Sequence, residues 1–374
     1  MSMEKETLGK IFKKNKKKPL ANYAFSFFLY VQKMCESCIA DGITDLFFLS
    51  REGQFLKKLT EIYISKRKPD FPVRLHYLYV SRKACIAATL DTLDKEEFLP
   101  YRCFHALSLK LFLRSLDFSD DDIERIAATI KENSERKVSD FFNCDVWRKL
   151  KTNAEFAQIY EKKRTAVHER FLRYLSDAGF DKAQQPALVD VGWSGTMQDR
   201  LLSLGFHDTL SGYYMGLSGV AGATSHNRKH GLLFDCNVGR TPCFYNHAYY
   251  EFICVADHGS VRGYDEKGQP VLQEDTDVTL YKEMYRDIQK NIEAAFSELC
   301  ALPFTDTVMN TLFQKYHARM LLNFSKSEKE IINASVRSHT DNFIAIKKIW
   351  RLRLLLFNIK RWIFLFVHAY VKQA

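Results

Sequence analysis

Three stretches of the chain share one pattern: a short apolar run, a polar turn, then residues of helical period. Asp45-Leu46-Phe47-Phe48-Leu49-Ser50 leads through Arg51-Glu52-Gly53 into a helical stretch from 54 to about 65. Leu75-His76-Tyr77-Leu78-Tyr79-Val80 is closed by Ser81-Arg82-Lys83. Ala187-Leu188-Val189-Asp190-Val191 passes through Gly192-Trp193-Ser194-Gly195-Thr196 into an amphipathic segment at 197–204. Unbroken apolar runs of strand length that alternate with helices predict parallel strands buried on both faces. A fourth strand is expected over 210–217 and a short fifth at Gly231-Leu232-Leu233-Phe234-Asp235. Between them, 218–229 is rich in Gly, Ser and Asn and reads as a loop. His226 and His230 are therefore read as loop histidines, because no helix is expected that would pair them as metal ligands.

Around this frame the remaining pattern is helical. Residues 23–39 alternate with helical period until Asp41-Gly42 stops them. From 94 to about 180 charges are dense and apolar residues fall at helical spacing, which predicts a helical insertion. Within it, Ser119 precedes Asp120, Asp121 and Asp122, acids that suit the positive end of a helix better than a metal site. A helix carrying Glu251 is expected to end at His258-Gly259, followed by a hairpin around Tyr264 and Val271. Helices then fill the chain from about 279 onward. The last, 341–371, interleaves Phe343, Trp350, Phe357, Trp362 and Phe366 with basic residues. Its longest uncharged stretch, 362–371, has ten residues, against the roughly twenty that span a bilayer. It should lie on a membrane surface, with docking against protein as the alternative. The prediction is a three-layer α/β fold with a mostly parallel sheet: a basic tail at 1–18, the α/β domain at 19–275, a helical region at 276–340 and the amphipathic helix at 341–374.

Charge changes the picture. The formal charge of +10 over 374 residues is concentrated at the ends: residues 1–18 hold seven Lys against two Glu, and 342–374 hold seven Lys or Arg and no acid. The body is thus slightly negative, which excludes the basic groove of a nucleic-acid binder and points to an anionic membrane surface met by the ends. Nine scattered cysteines without framework spacing and no signal peptide suggest a reducing cytoplasm. Cys35 and Cys38 have the spacing of half a zinc site, but no second pair matches them.

The candidate chemistry lies in the turns. Gly192 and Gly195 allow close approach of a ligand to the backbone. The amides and hydroxyls of Ser194 and Thr196 would open a helix whose start carries partial positive charge. The alternative is that Ser194 only caps that helix. Arg51 is a plausible phosphate fork, a surface salt bridge to Glu52 or Glu61 being the alternative. If the three strands are neighbours, Arg51, Arg82 and Lys83 converge beside the 192–196 loop in an electropositive pocket. Asp190 at its strand end is placed to hold Mg²⁺, a sugar hydroxyl or a proton. Glu251, Asp257 and His258 are the other titratable candidates, with ion pairing for Glu251 and helix capping for His258 as the plainer reading.

Phe47-Phe48-Leu49-Ser50-Arg51-Glu52-Gly53, Tyr77 to Arg82, Val189 to Gln198, and Glu251 with His258-Gly259-Ser260 resemble the ordered motifs that follow the hydrolase half in HAD-superfamily-like proteins of bacterial capsule and O-antigen gene clusters. The resemblance runs from about Pro19 to Phe296. It implies a role in assembling surface polysaccharide, including lipopolysaccharide, in the cytoplasm beside the inner membrane and near glycosyltransferases. Two departures stand out. The aspartate-x-aspartate loop of HAD phosphatases is absent, since Asp190-Val191-Gly192 lacks the second acid, so phosphoaspartyl chemistry does not carry over. The family's Arg-Asp-Gly turn is Arg51-Glu52-Gly53 here. The same loop also looks like the phosphate loop of type I phosphoribosyltransferases.

Together these readings predict a phosphate-binding hydrolase or transferase acting on a phosphorylated, nucleotide-activated or lipid-linked sugar. Arg51, Glu52, Gly53, Ser81, Arg82, Gly192, Ser194, Gly195 and Thr196 would bind, and Asp190, Glu251 and His258 would do the chemistry. The alternative from another class is a non-catalytic membrane-associated module that binds glycan intermediates or glycosyltransferases.

Overall fold

A computed structural model of the chain describes residues 2–102, 106–219, 222–239, 241–245, 247–273, 276–303, 306–326, 328–331 and 351–371. The chain opens with α1 (Ser2–Asn15) and α2 (Ala24–Ala40), then β1 (Asp45–Leu49), α3 (Gly53–Arg67) and β2 (Arg74–Leu78). Next come α4 (Arg82–Ala88), β3 (Ala106–Ser108), α5 (Leu109–Ser115), α6 (Asp120–Ile130), β4 (Lys137–Ser139), α7 (Asp145–Lys151) and α8 (Ala154–Asp177). β5 (Pro186–Asp190), α9 (Thr196–Leu202), β6 (Leu210–Leu217), β7 (Asn227–Asp235), α10 (Ala248–Ile253), β8 (Val261–Tyr264) and β9 (Pro270–Leu272) follow. The chain closes with α11 (Thr276–Leu280), α12 (Arg286–Cys300), α13 (Asp306–Leu322) and α14 (Arg351–Phe366).

Two compact units result. The first is Met1–Val80, Phe180–Ser260 and Leu272–Ala374; the second is Ser81–Gly179 and Val261–Val271. In the first, five strands form an all-parallel sheet in the order β2-β1-β5-β6-β7. Every position of β1 and β5 is buried, as their apolar runs require of strands covered on both faces. Leu46, Phe48, Ala187, Val189, Tyr213 and Met215 face one core with α2, α12 and α13. There Phe28 packs edge-on against Tyr63 and Phe313. Removing a large aromatic side chain of this kind from water contributes roughly 1.5–3 kcal/mol. On the opposite face, α9 lies along β6. Its buried Gln198 accepts from the Tyr214 hydroxyl at 2.8 Å and donates to the carbonyls of Leu210 and Arg228. Helix, sheet and helix make the three-layer α/β fold that the pattern predicts.

Two local details set the sheet's edges. Gly53 starts α3 directly against β1, where a Cβ would come within 2.7 Å of the Phe48 carbonyl carbon. At the other end of β1, Asp45 receives Arg74 at 2.7 Å and His76 at 2.8 Å. Burial alone would raise its carboxyl, but hydrogen bonds from Arg74, Thr44 and His76 outweigh that and bring it to about 2.

The second unit has its own core, built on Phe98, Phe112, Phe142 and Trp147. Ser119 caps α6 through Asp122 N, with the three aspartates in the first turn, as expected. The predicted insertion at 94–180 is thus a separate body that starts at Ser81. It also recruits the β8–β9 hairpin, whose Tyr264 stacks on Phe171 and Tyr174 of α8.

Three expectations are corrected. Residues 2–18 are not a solvated tail: α1 buries Leu8, Ile11 and Phe12 and leaves Lys13 and Lys14 outside, and Lys16, Lys17 and Lys18 just after it are exposed. β7 begins at Asn227, so His230 is a strand residue stacked on Tyr213 rather than a loop histidine. The helix carrying Glu251 ends at Ile253, well short of His258.

Of the last expected helix, residues 341–350 lie outside the described residues. α14 docks by one side, burying Leu365 and, in the turn after it, Ala369, whose carbonyl accepts from Arg319 Nε at 2.9 Å. Its other side exposes Ile359, Trp362, Ile363, Phe366 and, just beyond, Tyr370. Among the described residues, no helix is long and apolar enough to cross a membrane.

Candidate active site

The strand order reverses between β1 and β5. From β1 the chain moves outward to β2, and on return it enters β5 on the other side of β1 and continues to β6 and β7. In open α/β sheets, the crevice outside the carboxyl ends of strands at such a reversal is where ligands bind. The register pairs Phe48 with Val189, so the two strands leave the sheet together. The turn Arg51-Glu52-Gly53 and the loop from Asp190 to Thr196 both start there.

At the β1 end, Ser50 ties the turn to the next strand: its Oγ donates to Val80 O at 2.7 Å and accepts from Val80 N at 3.1 Å. Arg51 and Glu52 are each about one-fifth exposed, with the guanidinium 3.9 Å from Glu52 Oε1. Arg51 N also donates to Glu52 Oε2 at 3.1 Å. The expected alternative, a pair between Arg51 and Glu52, is therefore present, though a contact this long and part-exposed contributes little.

The β5 end is built on glycine. Gly192 has φ +144° and its Cβ would meet Gly216 O at 2.4 Å; Gly195 has φ +66° and abuts the Tyr214 hydroxyl and the Lys229 side chain. Gly195, not Ser194, takes the capping position of α9, and no side chain caps the helix. Ser194 and Thr196 are exposed, and the Ser194 carbonyl accepts from Lys229 Nζ at 3.2 Å. The Lys229 side chain is fully buried and pairs with Asp199 at 2.7 Å. The loop thus rests on a cation already matched by an acid.

The 251–258 segment completes the rim. Glu251 Oε1 accepts from Trp193 Nε1 at 2.6 Å. Gln54 and Asp257 exchange two hydrogen bonds, which fasten this segment to the start of α3. His258 Nε2 lies 2.7 Å from the Tyr77 hydroxyl and Nδ1 2.9 Å from Gly259 O. Because a carbonyl can only accept, the neutral ring carries its proton on Nδ1 and receives the Tyr77 hydroxyl at Nε2.

Asp190 is buried, and its Oδ1 accepts from Val191 N at 2.8 Å. Cys254, next in the chain after α10, is buried. Burial pushes its thiol well above the ordinary range, and the charges of Glu52, Asp190 and Glu251 push it further. That thiol stays protonated.

In the first unit, Arg51, Glu52 and Gly53 follow β1 and Asp190, Gly192, Ser194, Gly195 and Thr196 close or follow β5 at the same end of the sheet, with Glu251 tied to Trp193 and His258 to Tyr77. Ser81 and Arg82 belong to the second unit, where Ser81 Oγ caps α4 by accepting from Ala84 N and also donates to Val261 O. Within the first unit, Arg51 stands beside Glu52, and Asp190 and Glu251 add two further carboxyl groups at this end of the sheet. Among the described residues, no three His, Cys, Asp or Glu side chains are set to hold a metal ion.

Sequence reasoning missed Trp193, Tyr77, Cys254 and Lys229. Trp193 stood inside the motif, and an indole N–H among apolar neighbours needs an acceptor, which was a usable signal. Lys229 carried none, since it fell in a stretch read as loop. No protein-family model matches the chain, and a search of curated proteins finds no relative.

Proposed function

We propose that this protein acts on a phosphorylated, nucleotide-activated or lipid-linked sugar at the reversal between β1 and β5, by hydrolysis or transfer centred on the phosphate. What supports the reading is that Arg51 and Glu52 leave β1, and Asp190 closes the neighbouring parallel β5, at the same end of the sheet, with Glu251 bonded to Trp193 of the β5 loop. Arg51 meets the phosphate, exchanging its loose contact with Glu52 for a charge-assisted pair. Gly192 and Gly195 shape the loop beside it, the room they leave being taken by Gly216 O, the Tyr214 hydroxyl and Lys229. Glu251 and His258 hold or move the proton at Oε2 and Nε2. Asp190 supplies a single carboxylate to a sugar hydroxyl or to Mg²⁺; that ion commonly takes one or two carboxylates and fills its shell from substrate phosphate and water.

The resemblance of the motifs supports surface-polysaccharide assembly as the setting, with glycosyltransferases as neighbours. The exposed apolar side of α14, with basic residues beside it, supports attachment to an anionic membrane surface.

The test is a screen of sugar phosphates and sugar nucleotides, read by thermal shift and by released phosphate or nucleotide. Turnover is expected for one class, with Asp190→Asn and Glu251→Gln lowering the rate at least a hundredfold while melting within a few degrees of the parent. Binding without product in every case would replace the enzyme with the non-catalytic module. One observation favours that second reading: Glu251 and His258 already hold partners in Trp193 and Tyr77.

A further inference from the structure

The second unit contains a cavity of about 240 Å³ that owes nothing to the switch point of the sheet. Its walls are α4, α8, the 115–118 turn and the β8–β9 hairpin, all within that unit. The lining side chains divide by chemistry and, for the most part, by burial. Leu90, Leu116, Phe118, Val167 and Tyr264 make an apolar floor, while Lys83, Lys163, Arg164, Arg170 and Arg262 stand around it against one lining acid, Asp117.

The basic groups are incompletely matched. Arg164 is held by Glu161 at 2.8 Å, which lies outside the cavity lining. Lys163 Nζ donates to the Asp117 carbonyl at 2.7 Å and lies 5.9 Å over the Phe118 ring, contacts that bring no opposite formal charge. Arg170 meets Glu266 at 3.7 Å and Arg262 meets Asp117 at 3.6 Å, both with strongly exposed acids; such contacts are nearly neutral in water. Lys83 is exposed. The rim therefore carries an excess of two or more positive charges above an apolar base, the arrangement of a site whose ligand is apolar at one end and anionic at the other.

We propose that this cavity binds a phosphate monoester with a small apolar body, of the size of one ring. Size and charge both lead there. An apolar cavity of about 150 Å³ takes up benzene, so this one has room for a ring and the first atoms of a head group. A phosphate dianion satisfies the rim's excess better than a carboxylate, and both guanidinium and ammonium groups receive its oxygens.

Calorimetric titration of the full chain with phenyl phosphate, inorganic phosphate, benzoate and phenol tests this. Phenyl phosphate should bind, with the other three at least tenfold weaker. Lys163→Glu and Arg262→Glu, both at the rim, should weaken it at least tenfold. Ala87→Trp, which fills the floor from α4, should abolish it, provided thermal melting shows that the variant still folds; if it does not fold, the two rim variants decide. The assignment fails if phenyl phosphate gives no binding at millimolar concentration, or if inorganic phosphate or benzoate matches it. Binding untouched by the rim variants but lost in Arg51→Ala also overturns it, because the ligand would then sit at the other site.

Discussion

Gly192 shows how much of the site is decided by a missing atom. With φ at +144° and the Gly216 carbonyl 2.4 Å from where a Cβ would stand, no other residue fits between β5 and β6 without moving backbone. Gly192→Ala should lower stability by on the order of 1–3 kcal/mol, seen as a fall in the urea midpoint; an unchanged midpoint would show that the loop relaxes freely. His317 on α13 has the opposite problem. It is buried between Tyr23 and Tyr250, and among the described residues neither ring nitrogen has a hydrogen-bond partner. Burial drives its pKa down to about 3 from 6.5. The unfolded chain binds this proton below pH 6.5 and the folded chain does not, so stability falls as pH drops from 6.5 toward 3. The loss is on the order of 4 kcal/mol over that window. His317→Phe should flatten this slope in denaturant titrations at pH 6.5, 5 and 4, and an equally steep slope would show that the ring titrates normally.

Among the elements, α14 is the one whose two sides point to different partners. Leu365 and Ala369 are buried and Arg319 holds the Ala369 carbonyl, so the helix belongs to the first unit's core. Ile359, Trp362, Ile363, Phe366 and Tyr370 recur at spacings of three and four on the outside, with Trp362 stacked on Phe366 at 5.1 Å. Trp362→Glu together with Phe366→Glu should cut sedimentation with vesicles containing anionic phosphatidylserine at least tenfold and leave the melting temperature within a few degrees. Equal sedimentation of parent and variant would remove the membrane role. α1 behaves differently from its expectation because its lysines, though numerous, all fall on one side and leave Leu8, Ile11 and Phe12 to the core. Charge density hid an amphipathic helix. β7 was truncated in the sequence reading for a related reason: Asn227, Arg228 and Lys229 are polar, yet parallel pairing with Leu210, Ser211 and Gly212 extends the strand through them.

At the scale of the molecule, two separate apolar clusters correspond to the two units. Phe112 is fully buried in the second, edge-on to Phe98, Phe142 and Trp147. Phe112→Ala should cost roughly 3–5 kcal/mol, lost as amide-exchange protection in α5–α8 while β1 and β5 keep theirs. Equal loss in both would mean that the units unfold as one.

What the sequence settled by itself was local and periodic. Apolar runs of strand length, turns with glycine, and helical spacing determined β1, β2, β5, β6 and the three-layer class, because those patterns follow from which faces of an element must leave water. It also placed Arg51 and Asp190 at strand ends, since chain order alone puts a turn there. The tertiary structure decided what depends on residues far apart in the chain: that β1 and β5 are neighbours, that Glu251 meets Trp193 and His258 meets Tyr77, and that Lys229 is buried under the loop beside Asp199. It also decided that Ser81 and Arg82 belong to a second body with the hairpin at 261–271. No period in a sequence encodes such pairings, because they arise from burial and electrostatic matching between segments that meet only once the core has closed.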